Sequence, residues 1–109
     1  MKPNDLAALT QAMHDFVRSK GWYEPDSKRP QTPRNLAISL VLEASEVLEH
    51  FQWRDDAPNR EELASELADV MLYLLQLASI SGIDLGEAVM DKLKINYTRT
   101  WDEQPSNED

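Results

Sequence analysis

LAISLVLEASEVLEHF, residues 36–51, and LASELADVMLYLLQLASI, residues 63–80, decide the fold. Both stretches are long enough for several helical turns, and neither shows the alternation of apolar and polar residues that marks a strand. Each is apolar around most of its helical circumference. A helix of that kind is buried, either inside its own domain or between subunits. Both runs are broken by carboxylates at one spacing: Glu43 and Glu46 in the first, Glu66 and Asp69 in the second. Residues three apart share a helix face, so each pair points the same way.

Outward from these two segments, the punctuation is helical. Thr32-Pro33 supplies an N-cap oxygen and a proline at the first helical position, so a helix is predicted from there to about Phe51. Asn59 followed by Glu62 reads as an N-cap with a carboxylate three residues on, opening a helix that stops at Gly82. Asp84 and Glu87 repeat the device for a last helix ending near Arg99. Upstream, Leu6, Leu9, Met13, Phe16 and Val17 recur at helical spacing, predicting a first helix from about Asp5 to Lys20, closed by Gly21. Between Trp22 and Pro33 the chain is polar and holds Pro25, Pro30 and Pro33, which do not continue a helix. The expected fold is all-α, a four-helix bundle-like domain over residues 1–101 completed by oligomerisation, with an acidic tail at 102–109 expected to be disordered.

Composition narrows the function. The chain has 109 residues, enough for one domain. It has no cysteine, which removes disulfides and thiolate metal sites. A net charge of −9 disfavours a nucleic-acid polymer as partner. A nucleotide remains compatible, because a divalent cation can bridge phosphate and carboxylate. No secretory leader is visible, and no apolar run reads as long and charge-free enough to span a bilayer, so a cytoplasmic protein is expected, with no membrane partner.

The four carboxylates need an explanation. A buried, unpaired carboxylate costs roughly several kcal/mol even after relaxation. Neither helix offers an interior lysine or arginine; Arg34 and Arg54 lie at or beyond the ends of the first segment. One reading is that the acids simply face solvent, which is common for a single Glu-x-x-Glu. Two such pairs on two strongly apolar helices favour a divalent cation held by oxygen ligands, Mg²⁺ or Mn²⁺ in preference to Zn²⁺. A di-iron bundle would require Glu-x-x-His motifs. Neither His14 nor His50 has a glutamate three residues before it. His50 follows Glu46 by four residues and could approach its face, although such a histidine is more often on the surface.

With these residues in place, the chain resembles the MazG-like, all-α nucleoside triphosphate pyrophosphohydrolases, and most of all their dCTP pyrophosphatase branch. The resemblance rests on Glu43-Ala-Ser-Glu46 and Glu66-Leu-Ala-Asp69, and on the surrounding PRNLAISLVLEASEVLEHFQW, EELASELADVMLYLLQLA and DLGEAVMDKLKINYTR. It implies hydrolysis of a nucleoside triphosphate, dCTP or a modified nucleotide, to the monophosphate and pyrophosphate. It also implies Mg²⁺ (Mn²⁺ as substitute) on Glu43, Glu46, Glu66 and Asp69, with Glu43 or Glu46 as general base. Trp53 and Trp22 match base-pocket aromatics of the branch. Gln31 stands where eukaryotic members carry a histidine, as does Met13 on the first helix. Tyr73 extends the Glu66–Asp69 stripe by one turn, as a substrate ligand or a core tyrosine. Lys92 and Asn96 match a Lys-x-x-x-Asn on the last helix, a solvated face without the resemblance and a phosphate and sugar contact with it. The implied assembly is a homotetramer, a dimer of dimers. The competing reading is a non-catalytic helical oligomer serving as a structural or partner-binding module.

Overall fold

The computed structural model describes residues 4–56 and 59–99. The expected acidic tail at 102–109 lies outside the described residues. Four helices make up the fold: α1 (Leu6–Ser19), α2 (Pro33–Glu49), α3 (Arg60–Ile80) and α4 (Leu85–Thr98). No strand occurs among the described residues.

Each helix starts where a side-chain oxygen satisfies an otherwise orphaned N–H of its first turn. The Ala8 amide donates to Asp5 Oδ1 at 2.9 Å, and the Asn35 amide to Thr32 Oγ1 at 3.2 Å. The Glu62 amide donates to Asn59 Oδ1, and the Glu87 amide to Asp84 Oδ1, each at 3.0 Å. Gly21 and Gly82 follow α1 and α3 with φ of +74° and +72°, a conformation that costs glycine little and a side-chain-bearing residue more. The second helix ends at Glu49, two residues before the predicted Phe51. There the chain tightens into three-residue turns, His50 N–H to Val47 O and Phe51 N–H to Leu48 O.

The central element is α3. It packs along α2, crosses α1, and touches α4 only lightly. The buried apolar core is small: Met13 and Val17 from α1, Leu36 from α2, Leu75 and Ala78 from α3. Apolar side chains on the outer faces remain exposed in the single chain, among them Val41, Leu42 and Leu48 on α2 and Val89, Met90 and Leu93 on α4.

One sequence expectation is corrected here. By length and composition alone, α3 does qualify as a helix able to cross a bilayer, since its most apolar window holds only two charged residues, Glu66 and Asp69. Scanning for charge-free runs missed it because those two acids sit mid-helix. Here α3 is the helix against which α1 and α2 pack.

Candidate active site

The α2–α3 seam brings the two acidic pairs towards each other. Their fields meet at Glu43. Its carboxyl is pushed above the ordinary carboxylate range, first by burial and then by the charges of Glu46, Asp69 and Glu66 in turn. Glu43 Oε1 is shut off from solvent and has no hydrogen-bond partner. An oxygen in that state normally costs stability, so it calls for a ligand or a function. Glu46 is exposed, while Glu66 and Asp69 are half-buried.

The fourth acid already has a partner. His50 Nε2 lies 2.5 Å from Glu66 Oε1, with the histidine side chain 9% exposed. The sequence left His50 either near the face of Glu46 or, more commonly for such a histidine, on the surface. It turns inward because the last turn of α2 faces the first turns of α3, a juxtaposition across sixteen residues that helical spacing alone does not reveal. Among the described residues, no three His, Asp or Glu side chains stand close enough together to hold one ion as placed. The acids therefore share a field without forming a closed ligand shell. As donors they suit a hard divalent cation, and the unpartnered Glu43 Oε1 is the group such an ion would satisfy.

Beside the acids lies a cavity of about 590 Å³, a volume in the range of small-molecule sites. Asp69 belongs to both the acidic cluster and the cavity wall. From it the wall climbs α3 through Leu72 and Tyr73 to Gln76. Helix α1 contributes Met13, Phe16 and Val17, and α2 contributes Asn35, Leu36 and Ser39. The proline-rich loop closes the remaining side with Trp22, Arg29 and Gln31. Trp22 meets Phe16 edge-on, with ring centroids 5.7 Å apart, and the Arg29 guanidinium sits 5.5 Å from the Trp22 ring centre. The Asn35 side chain donates to Pro30 O at 3.0 Å and ties this loop to the start of α2.

A polar chain closes the end of the cavity away from the acids. Gln76 Nε2 lies 2.8 Å from Gln31 Oε1 and 3.2 Å from the Tyr23 hydroxyl. That hydroxyl lies 2.6 Å from His14 Nδ1, and His14 Nε2 lies 2.8 Å from Ser79 Oγ. Burial, then the charge of Arg18, holds His14 below its ordinary pKa, with Asp15 opposing weakly.

Of the substrate contacts expected from the sequence, Trp22, Gln31 and Tyr73 line the cavity. Trp53, Lys92 and Asn96 do not. Trp53 is 88% exposed in the turn after α2, and Lys92 is exposed on α4. Asn96 is half-buried, with Oδ1 shielded and unpartnered. The basic groups at the cavity are Lys28 and Arg29, which the sequence reading left in a polar loop. Gln76 was also passed over, although its place seven residues after Asp69 continues the Asp69–Tyr73 stripe by one more turn.

Fold and site together define an all-helical domain that sets four converging carboxylates beside an aromatic, partly polar cavity. Comparison with known proteins gives this class its family. The MazG-like family model matches residues 38–109, two thirds of the chain. A pyrophosphatase from Archaeoglobus fulgidus superposes with a TM-score of 0.74 at 30% identity, covering 97% of both chains. The dCTP pyrophosphatase 1 proteins of Rattus norvegicus and Homo sapiens are each 39% identical over 85 residues, 70% of this chain and 50% of theirs. A dATP/dGTP diphosphohydrolase of Cyanophage S-2L is 42% identical over 45 residues, 41% of this chain and 43% of its own. The chain belongs to the MazG-like family, and it spans about half the length of the curated dCTP pyrophosphatases it matches.

Proposed function

We propose that this chain hydrolyses a nucleoside triphosphate to the monophosphate and pyrophosphate, as a divalent-metal-dependent enzyme of nucleotide housecleaning. One observation carries the reading. Asp69 is at once a member of the acidic cluster that raises Glu43 and part of the wall of the nucleotide-sized cavity. A ligand in that cavity thus has its polyphosphate end at the carboxylates and its base among Trp22, Tyr73 and Gln76. The names of the relatives point to the same reaction class: pyrophosphatase, dCTP pyrophosphatase and dATP/dGTP diphosphohydrolase.

In this reading Glu43, Glu46, Glu66 and Asp69 hold Mg²⁺, with Mn²⁺ as substitute. When bound, the ion neutralises phosphate charge and makes water more acidic. The protein's own residues do the rest. His50 steadies Glu66 from its outer side. Lys28 and Arg29 bring positive charge to the cavity rim. The apolar walls from α1 and α2 limit water around the base. Trp53, Lys92 and Asn96 serve the substrate only if a neighbouring subunit or a movement of α4 brings them to it. A homotetramer built on the exposed apolar faces of α2 and α4 fits that requirement and would give Val41, Leu42 and Met90 the partner they lack. A cytoplasmic location goes with this reading, because nucleoside triphosphates are available there.

The test is a screen of canonical and modified triphosphates with added Mg²⁺, reading pyrophosphate release. Turnover that vanishes on chelation is expected. Asp69→Asn, with unchanged helicity, should lose on the order of a hundredfold or more, the scale for removing one group that stabilises developing charge. Full activity in that variant, or no pyrophosphate from any triphosphate, would refute the reading.

A further inference from the structure

The polar chain at the closed end of the cavity has a direction, and one backbone carbonyl sets it. Gln31 Nε2 lies 2.6 Å from the carbonyl oxygen of Arg29. Two oxygens do not approach that closely without a proton between them, so the atom of Gln31 facing Arg29 must be its NH₂ group. The other polar atom of Gln31 is then its carbonyl oxygen, which faces Gln76 at 2.8 Å. Gln76 must therefore offer nitrogen there. The same nitrogen donates to the Tyr23 hydroxyl, which consumes both of its hydrogens. Tyr23, accepting from Gln76, also meets His14 Nδ1, and His14 Nε2 meets Ser79 Oγ. As far as Gln76 each link has one direction, and reversing either amide sets two oxygens face to face.

The consequence falls on the one polar atom of Gln76 left over. Its carbonyl Oε1 makes no hydrogen bond within the described residues. Among the described residues, the buried side-chain oxygens without a partner are those of Glu43 and Asn96. Gln76 Oε1 is not one of them, although the residue as a whole is only 3% exposed. Gln76 lines the cavity, and its carbonyl oxygen is the polar atom that the chain leaves it to offer there. It stands seven residues, about 10 Å along the helix axis, from Asp69. That span matches the reach from a nucleotide's phosphate to the far edge of its base.

Resting on the proposed nucleotide-hydrolysing function, we infer that Gln76 determines base preference: its locked side-chain carbonyl selects the 4-amino group of cytosine or the 6-amino group of adenine over uracil or thymine, whose O4 carbonyl would meet it oxygen to oxygen. Gln31 retains one N–H beyond its bond to Arg29, a donor suited to the ring nitrogen beside such an amino group.

The test compares kcat/KM for dCTP and dATP with that for dUTP and dTTP, and in parallel the equilibrium binding of dCMP and dUMP by calorimetry, which needs no turnover. The parent protein should favour the amino-bearing nucleotides by roughly 10- to 100-fold, the range one well-placed contact discriminates between bases. Gln76→Leu should bring the ratio to about threefold or less. Because Gln76 is buried, a second variant protects the test. Gln31→Leu, on the half-exposed loop, removes the carbonyl that locks the Gln76 amide and should lower the same ratio several-fold. A purely structural role for either residue would weaken all nucleotides alike and leave the ratio intact. A parent that turns over keto and amino nucleotides equally, or variants that keep its ratio, would overturn the inference while leaving the function standing. Absent turnover with a dCMP preference that both variants erase would overturn the function and uphold the base reading. Absent turnover with no binding preference would overturn both.

Discussion

Replacing Glu43 by glutamine should make the metal-free protein more stable and make it indifferent to Mg²⁺. The side chain keeps its size, and the charge that three neighbouring acids oppose is gone. Glutamine still leaves a polar atom unpartnered there, so what it relieves is the buried charge beside like charges, on the order of 1–3 kcal/mol. The lower end applies, because the residue is only half-buried and solvent screens the rest of the carboxylate. Relief of about 1 kcal/mol corresponds to a rise of roughly 4–8 °C in melting temperature for a domain of this size. The sign has a pH signature. Glu43 binds its proton more tightly in the folded than in the unfolded chain, so falling pH stabilises the parent between its raised pKa and the ordinary 4.5. Glu43→Gln lacks that gain, and its advantage shrinks through the same window. Metal supplies the other arm. An ion that binds only the folded state at about 100 times its dissociation constant adds ~2.7 kcal/mol. The parent should therefore melt well over 10 °C higher in saturating Mg²⁺, and the variant only slightly higher. The assay is a thermal melt by circular dichroism, with and without Mg²⁺, at pH 7 and pH 5. A variant that melts below the parent without metal, or gains as much from Mg²⁺, would refute the account of Glu43 as a strained, ion-seeking carboxylate.

The core and the polar chain make further predictions. Leu36 is 2% exposed and is the largest fully buried side chain, so Leu36→Ala should cost about 2–5 kcal/mol in urea unfolding; a loss below about 1 kcal/mol would mean the α1–α2–α3 junction is not the core. His14 has a folded pKa below its ordinary 6.5. The unfolded chain thus takes up this proton first as pH falls through 6.5, and stability is lost below that point down to the folded pKa. His14→Gln should flatten the part of the decline between pH 7 and pH 5.5 that this imidazole contributes, and an unchanged slope would count against a buried, neutral His14.

The helices were legible because capping chemistry is local. Thr32, Asn59 and Asp84 each act within three residues, so spacing located those starts, while the apolar stripe from Leu6 located the first, which Asp5 caps. The acidic pairs were legible for a related reason, since two carboxylates in an apolar helix are anomalous before any fold is known. What stayed hidden depends on separation along the chain. The bond between His50 and Glu66 spans sixteen residues, and that between His14 and Ser79 spans sixty-five. Neither follows from a helical period. The loop wall was hidden as well, because prolines show that residues 22–33 are not helical without showing which side chains the loop turns inward. Trp53 shows the converse limit. The family resemblance suggested a base contact, and the residue's position in the turn after α2 leaves it exposed in the single chain, away from the cavity.

One face of α3 explains why such a small chain can support a demanding site. Glu66, Asp69, Tyr73 and Gln76 follow one another at intervals of three and four residues, so one helix aligns acids, aromatic ring and amide. Spacing along a helix is fixed by its backbone hydrogen bonds at about 1.5 Å per residue. The distance between the carboxylates and the Gln76 carbonyl is therefore set by covalent and helical geometry rather than by loop packing. The surrounding parts only need to close around this ruler: α2 brings the second acidic pair, and α1 and the proline-rich loop bring the walls. That division predicts where the site tolerates change. Substitutions on α1 or the loop reshape the cavity. A one-residue insertion between Asp69 and Gln76 would rotate the amide by roughly 100° about the helix axis and separate base recognition from the acids, even with every contacting residue type retained.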